Sequence, residues 1–591
     1  MKKLKCSLKT ILFAASLSAT ALLATSKVWA QTVPSGEWLS WGQNIDNTKN
    51  PVGETFLTKD NVKNLKPEWI WEARASVYTF PTIKDNWLYV TDYPLFSPQS
   101  IIDPKKDGGW IYAVDRTKGT TIWERRIYDY SGSEGNILSR NSPAIFEDML
   151  VFGDALNSSS FARTFKNAKS SVYGVNRFTG EMIWKTVVDD HYASQITQSP
   201  VIHDGVVYVG VSSIELAIPG LLGPLYSCCN FRGSMLALDA KTGAILWKTY
   251  TIPDNQGRRD QFSGGSVWGS SPSIDTKRGV VYIATGNNYD APTPLKDCIK
   301  DSKDDAIKEE ACYVNFDAPD NYFDSVMALD LKTGAIRWVQ KVLRYDAWNF
   351  ACLLPNPIQL ACPKPKGGDY DFGQAPMIIH DALVDGKTKD LVVVGQKTGI
   401  FWAFDPDQGG NTVWSTQVGP EGLFGGHEFG SATDGKRIYV QITNLEHKDI
   451  PLIAGPHKGE TTHGGIWAAL DIATGTILWQ MPVPASSLPL TGNIDSGKFG
   501  KGLGIGFFAL AMGPLSVANG VVYAGSLDGY MYAMDAETGN FLWSYKTKGS
   551  INSAPSIVDG SLYWGSGYPI GFGDTKLYKF SLPEAFATPA R

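Results

Sequence analysis

Two oxygen-bearing side chains, Glu215 at the end of GVSSIE and Asn287 in ATGN, each follow the second strand of a strand pair. A carboxylate and an amide oxygen are donors that a hard cation takes, although a surface Glu and a turn Asn look the same when read singly. Asp346 in YDAWN can accept a proton, whereas Asn349, at the end of that phrase, cannot. Six cysteines remain once Cys6 is set aside with the export segment described below. An even count in an oxidising compartment points to disulfides. Proximity pairs Cys298 with Cys312 and Cys352 with Cys362. Cys228 and Cys229 are adjacent, and form either a vicinal disulfide, which is the expectation here, or two separate thiols. The seven histidines show no metal-ligand spacing, and only His427 in FGGHEFG sits in a loop expected to face inward. No nucleotide-binding glycine motif, hydrolytic triad or Cys–x–x–Cys–His haem motif stands out.

The elements that must position these residues are written in a repeat. A phrase close to Asp–x–x–Thr–Gly–x–x–x–Trp occurs seven times, ending at Trp123, Trp184, Trp247, Trp338, Trp414, Trp479 and Trp543. Self-similarity at a long period means stacked or radial units. Asp and Thr–Gly make a tight turn, because Asp bonds nearby amides and Gly takes positive φ cheaply. The following strand ends in Trp, large enough to lock one sheet on the next. Before most copies lies another strand pair, such as PVIHDGVVYVG (200–210) or LSVANGVVYAGS (515–526). One unit is therefore a four-stranded antiparallel blade, and Trp-to-Trp intervals of 61, 63, 91, 76, 65 and 64 residues leave room for one blade each. The expectation is an all-β, eight-bladed β-propeller with tryptophan-docking repeats, its last blade closed by pairing PEWIW (67–71) with LYKFSL (577–582).

Residues 1–30 stand apart. Lys2, Lys3, Lys5 and Lys9 precede an apolar run from Ile11 to Ala24, and VWA (28–30) precedes Gln31, the pattern of a secretory signal. Its removal takes away five lysines and no acid, leaving 49 basic against 59 acidic side chains over 31–591. An acidic, aromatic-rich exported propeller is a poor nucleic-acid binder. No later stretch is long and apolar enough to span a membrane. Residues 296–312 form a charged surface insertion.

The Trp repeats, the lead-in WGQNIDNTKN…LTKDNVKNLKPEW and the export signal together resemble the quinoprotein alcohol dehydrogenases. Within them the chain is most similar to the polyvinyl alcohol dehydrogenase group, through GGSVWGSSPSIDTKRGVVYIATGNNY (264–289), NYFDSVMALDLKTG (321–334) and YDAWNFACLLP…CPKPKGGDYDFGQAP (345–376). The resemblance implies pyrroloquinoline quinone (PQQ) and Ca²⁺ at the ring axis. It assigns metal contacts to Glu215, Asn287 and Asn349. It places Trp268 flat beneath the quinone, with Ser266 two residues before it. Thr197 in ITQSP and Ser212 in GVSSIE fall at cofactor contacts, and Arg140 in NILSRNSP suits a tricarboxylate through bidentate pairing. Lys397 in GQKTGIFWAFD falls near the quinone oxygens, where a cation stabilises growing negative charge. Solvated strand-end charges are the competing reading for Arg140 and Lys397.

Three departures qualify the resemblance. The place of the family's catalytic aspartate is Asn349, while Asp346 stands three residues earlier. The base is then Asp346, another group takes that work, or activity is impaired. The Cys228–Cys229 pair follows Glu215 instead of preceding it, and reaches the quinone only from an inserted loop. Tyr78 in VYTFP stands where the family has a Glu. Ala351 in place of a further aspartate favours Ca²⁺ over a lanthanide. The reaction implied is oxidation of primary or secondary alcohols, polyvinyl alcohol-like polyols included, by hydride transfer to PQQ. Electrons would leave to a separate periplasmic cytochrome c. A non-catalytic envelope scaffold, a PQQ-dependent sugar or aldose dehydrogenase, and an inactive PQQ-binding relative are the alternatives. Export gives the first expected outcome: mass spectrometry of the secreted protein finds a mature chain beginning at Gln31, and a retained Met1 would refute the signal.

Overall fold

The computed structural model describes residues 36–94, 108–133, 136–156, 169–484, 509–568 and 573–584, so the export segment lies outside it. Eight antiparallel sheets follow one another round the ring, seven of four strands and the third of five, where Ser194–Gln195 adds to the blade's four. The third is representative: Val201–His203, Val206–Ser213, Ser234–Asp239 and Ile245–Tyr250, the last carrying Trp247. Two central strands of each blade are almost wholly buried, while the Trp strand is mostly exposed or half-buried, as a sheet with one wet edge requires.

The repeat phrase acts between blades. Asp115, Asp239, Asp330, Asp471 and Asp535 each accept backbone N–H bonds from the turn that follows. The turn glycines Gly180, Gly243, Gly334, Gly410, Gly475 and Gly539 hold φ between 69° and 78°. Each lies on the indole of the previous blade, so close that a Cβ would collide with it. The indole N–H of Trp123, Trp184, Trp247, Trp414 and Trp479 then donates to the carbonyl of the residue after the next blade's Asp or Asn, over 2.9–3.2 Å. Glycine is needed here twice, for its φ and for the ring's approach.

The eighth blade closes as expected. Ser556–Val558, Ser561–Gly565 and Lys576–Ser581 take Lys66–Glu72 as their fourth strand, with Lys66 opposite Ser581 and Glu72 opposite Lys576. Trp69 on that strand docks on Gly119 and donates to the Arg116 carbonyl at 3.1 Å. It is the eighth docking tryptophan, which the repeat count missed because it lies at the opposite end of the chain from its own blade.

The lead-in segment has its own duty. Carbonyls of Trp38, Leu39, Ile45, Asp46, Thr48 and Lys49 accept from Ile83, Ile145, Ile274, Ile378, Thr433 and Val517, one in the innermost strand of each of six blades. A single extended strap thus pairs with the inner rim of the ring. Lys49, fully buried beneath it, donates to Asn47 O, Asn47 Oδ1 and Ser431 O at 2.9–3.0 Å; burial lowers its pKa to about 7.

Insertions lie within blades three and four and between blades four and five. Residues 293–316 form two helices, Thr293–Ser302 and Ala306–Phe316, joined by Cys298–Cys312. Cys352–Cys362 clips the loop after YDAWN, and Cys228–Cys229 is a vicinal disulfide. All three pairings match expectation. Trp479 is 1% exposed, so Trp479→Ala is expected to destabilise the protein by about 3–5 kcal/mol. Chemical denaturation measures this; an unchanged midpoint would show that docking is not what holds blade six to blade seven.

Candidate functional site

Loops at the inner ends of successive blades bring one set of side chains together. Trp268, half-exposed, stands between Asp371 and Phe429: its Nε1 donates to Asp371 Oδ2 at 3.0 Å and its ring meets Phe429 edge-on at 6.2 Å. Asp371 Oδ1 accepts the Asn287 amide at 2.5 Å. Lys397 Nζ lies 5.3 Å from the Trp268 ring centroid. It pairs with Asp369 Oδ2 at 3.1 Å and Asp371 Oδ2 at 3.4 Å, with Glu428 Oε1 at 4.0 Å. Burial works against the Lys397 charge, but Asp369 and Asp371 more than offset it and hold the ammonium protonated. Burial pushes the Asp369 carboxyl well above the usual range, with Lys397 opposing.

Asp346 lies behind this group. Its oxygens accept the backbone amides of Asp369 at 3.1 Å and Tyr370 at 2.6 Å, so it props the Asp369–Asp371 loop. Burial raises it to about 6. Asp324 beside it is pushed well above its usual range, first by burial and then by the charge of Asp346.

The remaining expected residues fall into three groups. The Thr197 hydroxyl meets that of Ser212 at 2.8 Å and reaches the Trp268 carbonyl at 3.4 Å. Ser266 is bonded to the Tyr289 hydroxyl. Arg140 donates to the Tyr78 hydroxyl at 2.8 Å and lies over the Tyr93 ring, so the tyrosine that replaces the expected Glu orients the arginine. Asn349 caps the turn over Phe350–Leu353 through Ala351 N, and its amide points to Cys228 Sγ at 3.7 Å and the Ala361 carbonyl at 3.1 Å.

Glu215 is fully buried and already satisfied. It accepts from Tyr192 Oη at 3.1 Å, Tyr226 Oη at 2.6 Å, Asn230 N at 3.1 Å and Phe231 N at 2.8 Å. Those donors flank Cys228–Cys229, and the Glu215 carboxylate organises the disulfide loop. Asn287 turns its amide nitrogen to the carbonyls of Asn288 and Trp348.

A half-exposed indole, an arginine, two hydroxyls and a buried lysine fit a planar quinone bearing several carboxylates. The calcium trio fits less well: the oxygens of Glu215 and Asn349 are engaged elsewhere, and among the described residues no group of three His, Cys, Asp or Glu is arranged to hold a metal. The residues that sequence reasoning passed over are Asp369, Asp371 and Glu428. The signal for the first two was GGDYDFG, two aspartates one residue apart just before a strand. Glu428 had its signal in FGGHEFG, where His427 drew attention instead.

An eight-bladed ring with a lysine, an indole and carboxylates at its axis defines a cofactor-bearing propeller of the quinoprotein class. The family model described as "Glucose/ethanol/alcohol dehydrogenase, beta-propeller domain" matches residues 38–357, and the chain belongs to this PQQ family. A model described as outer membrane protein assembly factor BamB matches residues 462–581. Polyvinylalcohol dehydrogenase of Sphingopyxis sp. (strain 113P3) is 29% identical over 90% of this chain and 73% of its own length. Quinohemoprotein alcohol dehydrogenase ADH IIB of Pseudomonas putida is 21% identical over 94% of this chain and 77% of its own. The crystal structure of quinohemoprotein alcohol dehydrogenase from Comamonas testosteroni superposes with a TM-score of 0.62 at 17% identity, over 95% of this chain and 82% of that one, and shares the fold.

Lys397→Met leaves three buried carboxylates without their cation, and is expected to cost about 3–5 kcal/mol at pH 8. Each carboxyl whose folded pKa is raised binds a proton in the folded state before it does in the unfolded one, so its burden on stability grows as pH rises through its folded value. For Glu428 that value is about 7. Lys397 lowers that value, so it is higher in Lys397→Met, and the deficit should shrink as pH falls from 8 toward about 7. Denaturation at pH 5 and 8 checks this, and an equal deficit at both would show that Lys397 does not balance these acids.

Proposed function

We propose that this protein is an exported, PQQ-dependent dehydrogenase of primary or secondary alcohols that passes electrons to a separate cytochrome c. The observation that carries the reading is the buried Lys397, set 5.3 Å from the half-exposed Trp268 ring and paired to Asp369 and Asp371. A scaffold propeller has no use for so costly an arrangement. Trp268 would stack on the cofactor, Lys397 would meet its quinone oxygens, and Arg140, Thr197 and Ser212 would bind its carboxylates. When bound, PQQ supplies the hydride acceptor.

The chain's own part is to orient the alcohol and take its proton. Asn349 cannot do so, and both oxygens of Asp346 are held by backbone amides. Asp369 is better placed: Oδ2 faces Lys397, while buried Oδ1 finds no hydrogen-bond partner among the described residues. We assign Asp369 as the base and Asp346 as the residue that positions it. Calcium is the companion ion that the family resemblance implies. Held through Glu215, it would have to displace the hydroxyls of Tyr192 and Tyr226 and two backbone amides.

A groove of about 790 Å³ opens beside this group, lined among others by Tyr313, Tyr345, Trp348, Gly367 and Tyr370. Aromatic faces with hydroxyl and charged rims suit an extended, hydroxyl-bearing chain, as the named substrate of the polyvinylalcohol dehydrogenase relatives is. The test is reconstitution with PQQ and Ca²⁺, followed by the bound quinone spectrum and by dye reduction with secondary alcohols. Trp268→Ala should weaken PQQ binding by about tenfold or more. Asp369→Asn should keep PQQ and lose about 10²–10⁴-fold in kcat. Failure of the wild-type protein to bind PQQ would overturn the reading, and full activity of Asp369→Asn would return the base to Asp346.

A further inference from the structure

Lys397 carries one positive charge and faces three carboxylates, each at most 6% exposed. Two of them have other work. Asp371 accepts from Trp268 Nε1 and the Asn287 amide, and Asp369 rides on the loop propped by Asp346. Glu428 differs. It is 1% exposed, and its Oε1, 4.0 Å from Lys397 Nζ, has no hydrogen-bond partner among the described residues. Buried carboxylate oxygens normally have donors. The side chain is also confined: a Cβ on Gly373 would stand 3.1 Å from Glu428 Cγ, so the glutamate stem already fills the space beside that strand entry. A carboxylate aimed at an ammonium, with room for a proton on its free oxygen, is equipped to receive one.

We propose that Glu428 stores the proton that the reaction releases, delivered through Lys397. The proposal rests on the dehydrogenase reading above. Oxidation of an alcohol to a carbonyl gives up a hydride, taken by the quinone, and a hydroxyl proton, taken by Asp369. Lys397 Nζ and Glu428 Oε1, 4.0 Å apart at rest, must close to hydrogen-bond distance; Lys397 then gives one N–H proton to Glu428, and the neutral amine so left takes the proton from Asp369. One O–H bond breaks on Asp369, one forms on Glu428, and the ammonium keeps its charge. Asp369 is thereby returned to its basic form without bulk water entering the site. Glu428 touches no substrate and acts through Lys397.

The other charged groups around Glu428 are Asp371, Arg140 and, across the axis, Tyr568. His427 beside it in the chain turns its ring onto Phe401. Burial is the largest influence and lifts Glu428 to about 7, with Lys397 opposing. The store is therefore open above about pH 7 and already filled below it.

The first measurement is kcat/KM against pH for the PQQ-loaded enzyme with a dye acceptor. The wild-type enzyme should lose activity as pH falls through about 7, and Glu428→Gln should lack that limb while turning over about tenfold more slowly at high pH. Glu428→Asp, which keeps a titrating carboxyl, should keep a limb. PQQ affinity of Glu428→Gln within about twofold of wild type shows that the isostere folds. The second measurement needs no cofactor: infrared titration of the apo-protein should show a carboxyl band vanishing through about pH 7, missing in Glu428→Gln. A limb unchanged in Glu428→Gln, or a band that persists in it, would overturn the proposal. A wild-type protein that binds no PQQ would instead overturn the dehydrogenase reading, and the proton store with it.

Discussion

The contact between one blade's indole and the next blade's Thr–Gly turn carries the whole ring. Each of these glycines gives up a side chain so that a tryptophan can lie against it, and the indole N–H of Trp69, Trp123, Trp184, Trp247, Trp414 and Trp479 then finds a carbonyl of the neighbouring blade. The area buried is apolar, but the hydrogen bond fixes its register. The ring closes when Trp69, near the start of the described chain, docks on Gly119 and reaches the Arg116 carbonyl, and Trp543 reaches Leu65 O. Closure is thus both covalently distant and locally specified, and it leaves few free strand edges. The strap over Trp38–Lys49 adds a second constraint, because one extended segment reads the inner rim of six blades in turn.

That rigidity makes the axial charge arrangement possible. Asp369 and Asp371 share the loop that enters blade five, Lys397 lies in a turn of that blade and Glu428 in the loop that leaves it, so the ring brings them together. Bringing several carboxylates and one ammonium out of water is costly unless geometry and hydrogen bonds compensate. Asp371 is compensated by Trp268 and Asn287; Asp369 and Glu428 keep buried oxygens without donors among the described residues. The imbalance is tolerable for groups that work by exchanging protons or meeting a ligand. It is hard to account for in a scaffold, where apolar residues of equal volume would hold the blades at less cost.

The repeat phrase made the fold legible, because its turn chemistry and its tryptophan each have one structural use, and the intervals left room for one blade apiece. The three disulfides were legible from proximity. The site was legible in part. Trp268, Lys397, Arg140, Thr197 and Ser212 were singled out by the family resemblance, through short phrases at strand ends. Asp369, Asp371 and Glu428 could not, since an aspartate in a loop carries no mark of which way it points. The YDAWN phrase drew the reading toward Asp346 and Asn349, and only tertiary structure separates a carboxylate that props a loop from one that faces the axis. Trp69 was hidden for a different reason: its blade is assembled from both ends of the described chain.

Glu215 shows how a phrase can persist while its side chain takes on another partner set. Hydrogen bonds from Tyr192, Tyr226, Asn230 and Phe231 fill both of its oxygens. Charge-assisted bonds of this kind are stronger than neutral ones. Three of these donors bracket Cys228–Cys229, and Asn349 approaches the same disulfide from the opposite loop. An ion at Glu215 would therefore have to outcompete the bonds that shape the disulfide loop. The Glu215 carboxylate thereby holds Cys228–Cys229 in place relative to Asn349.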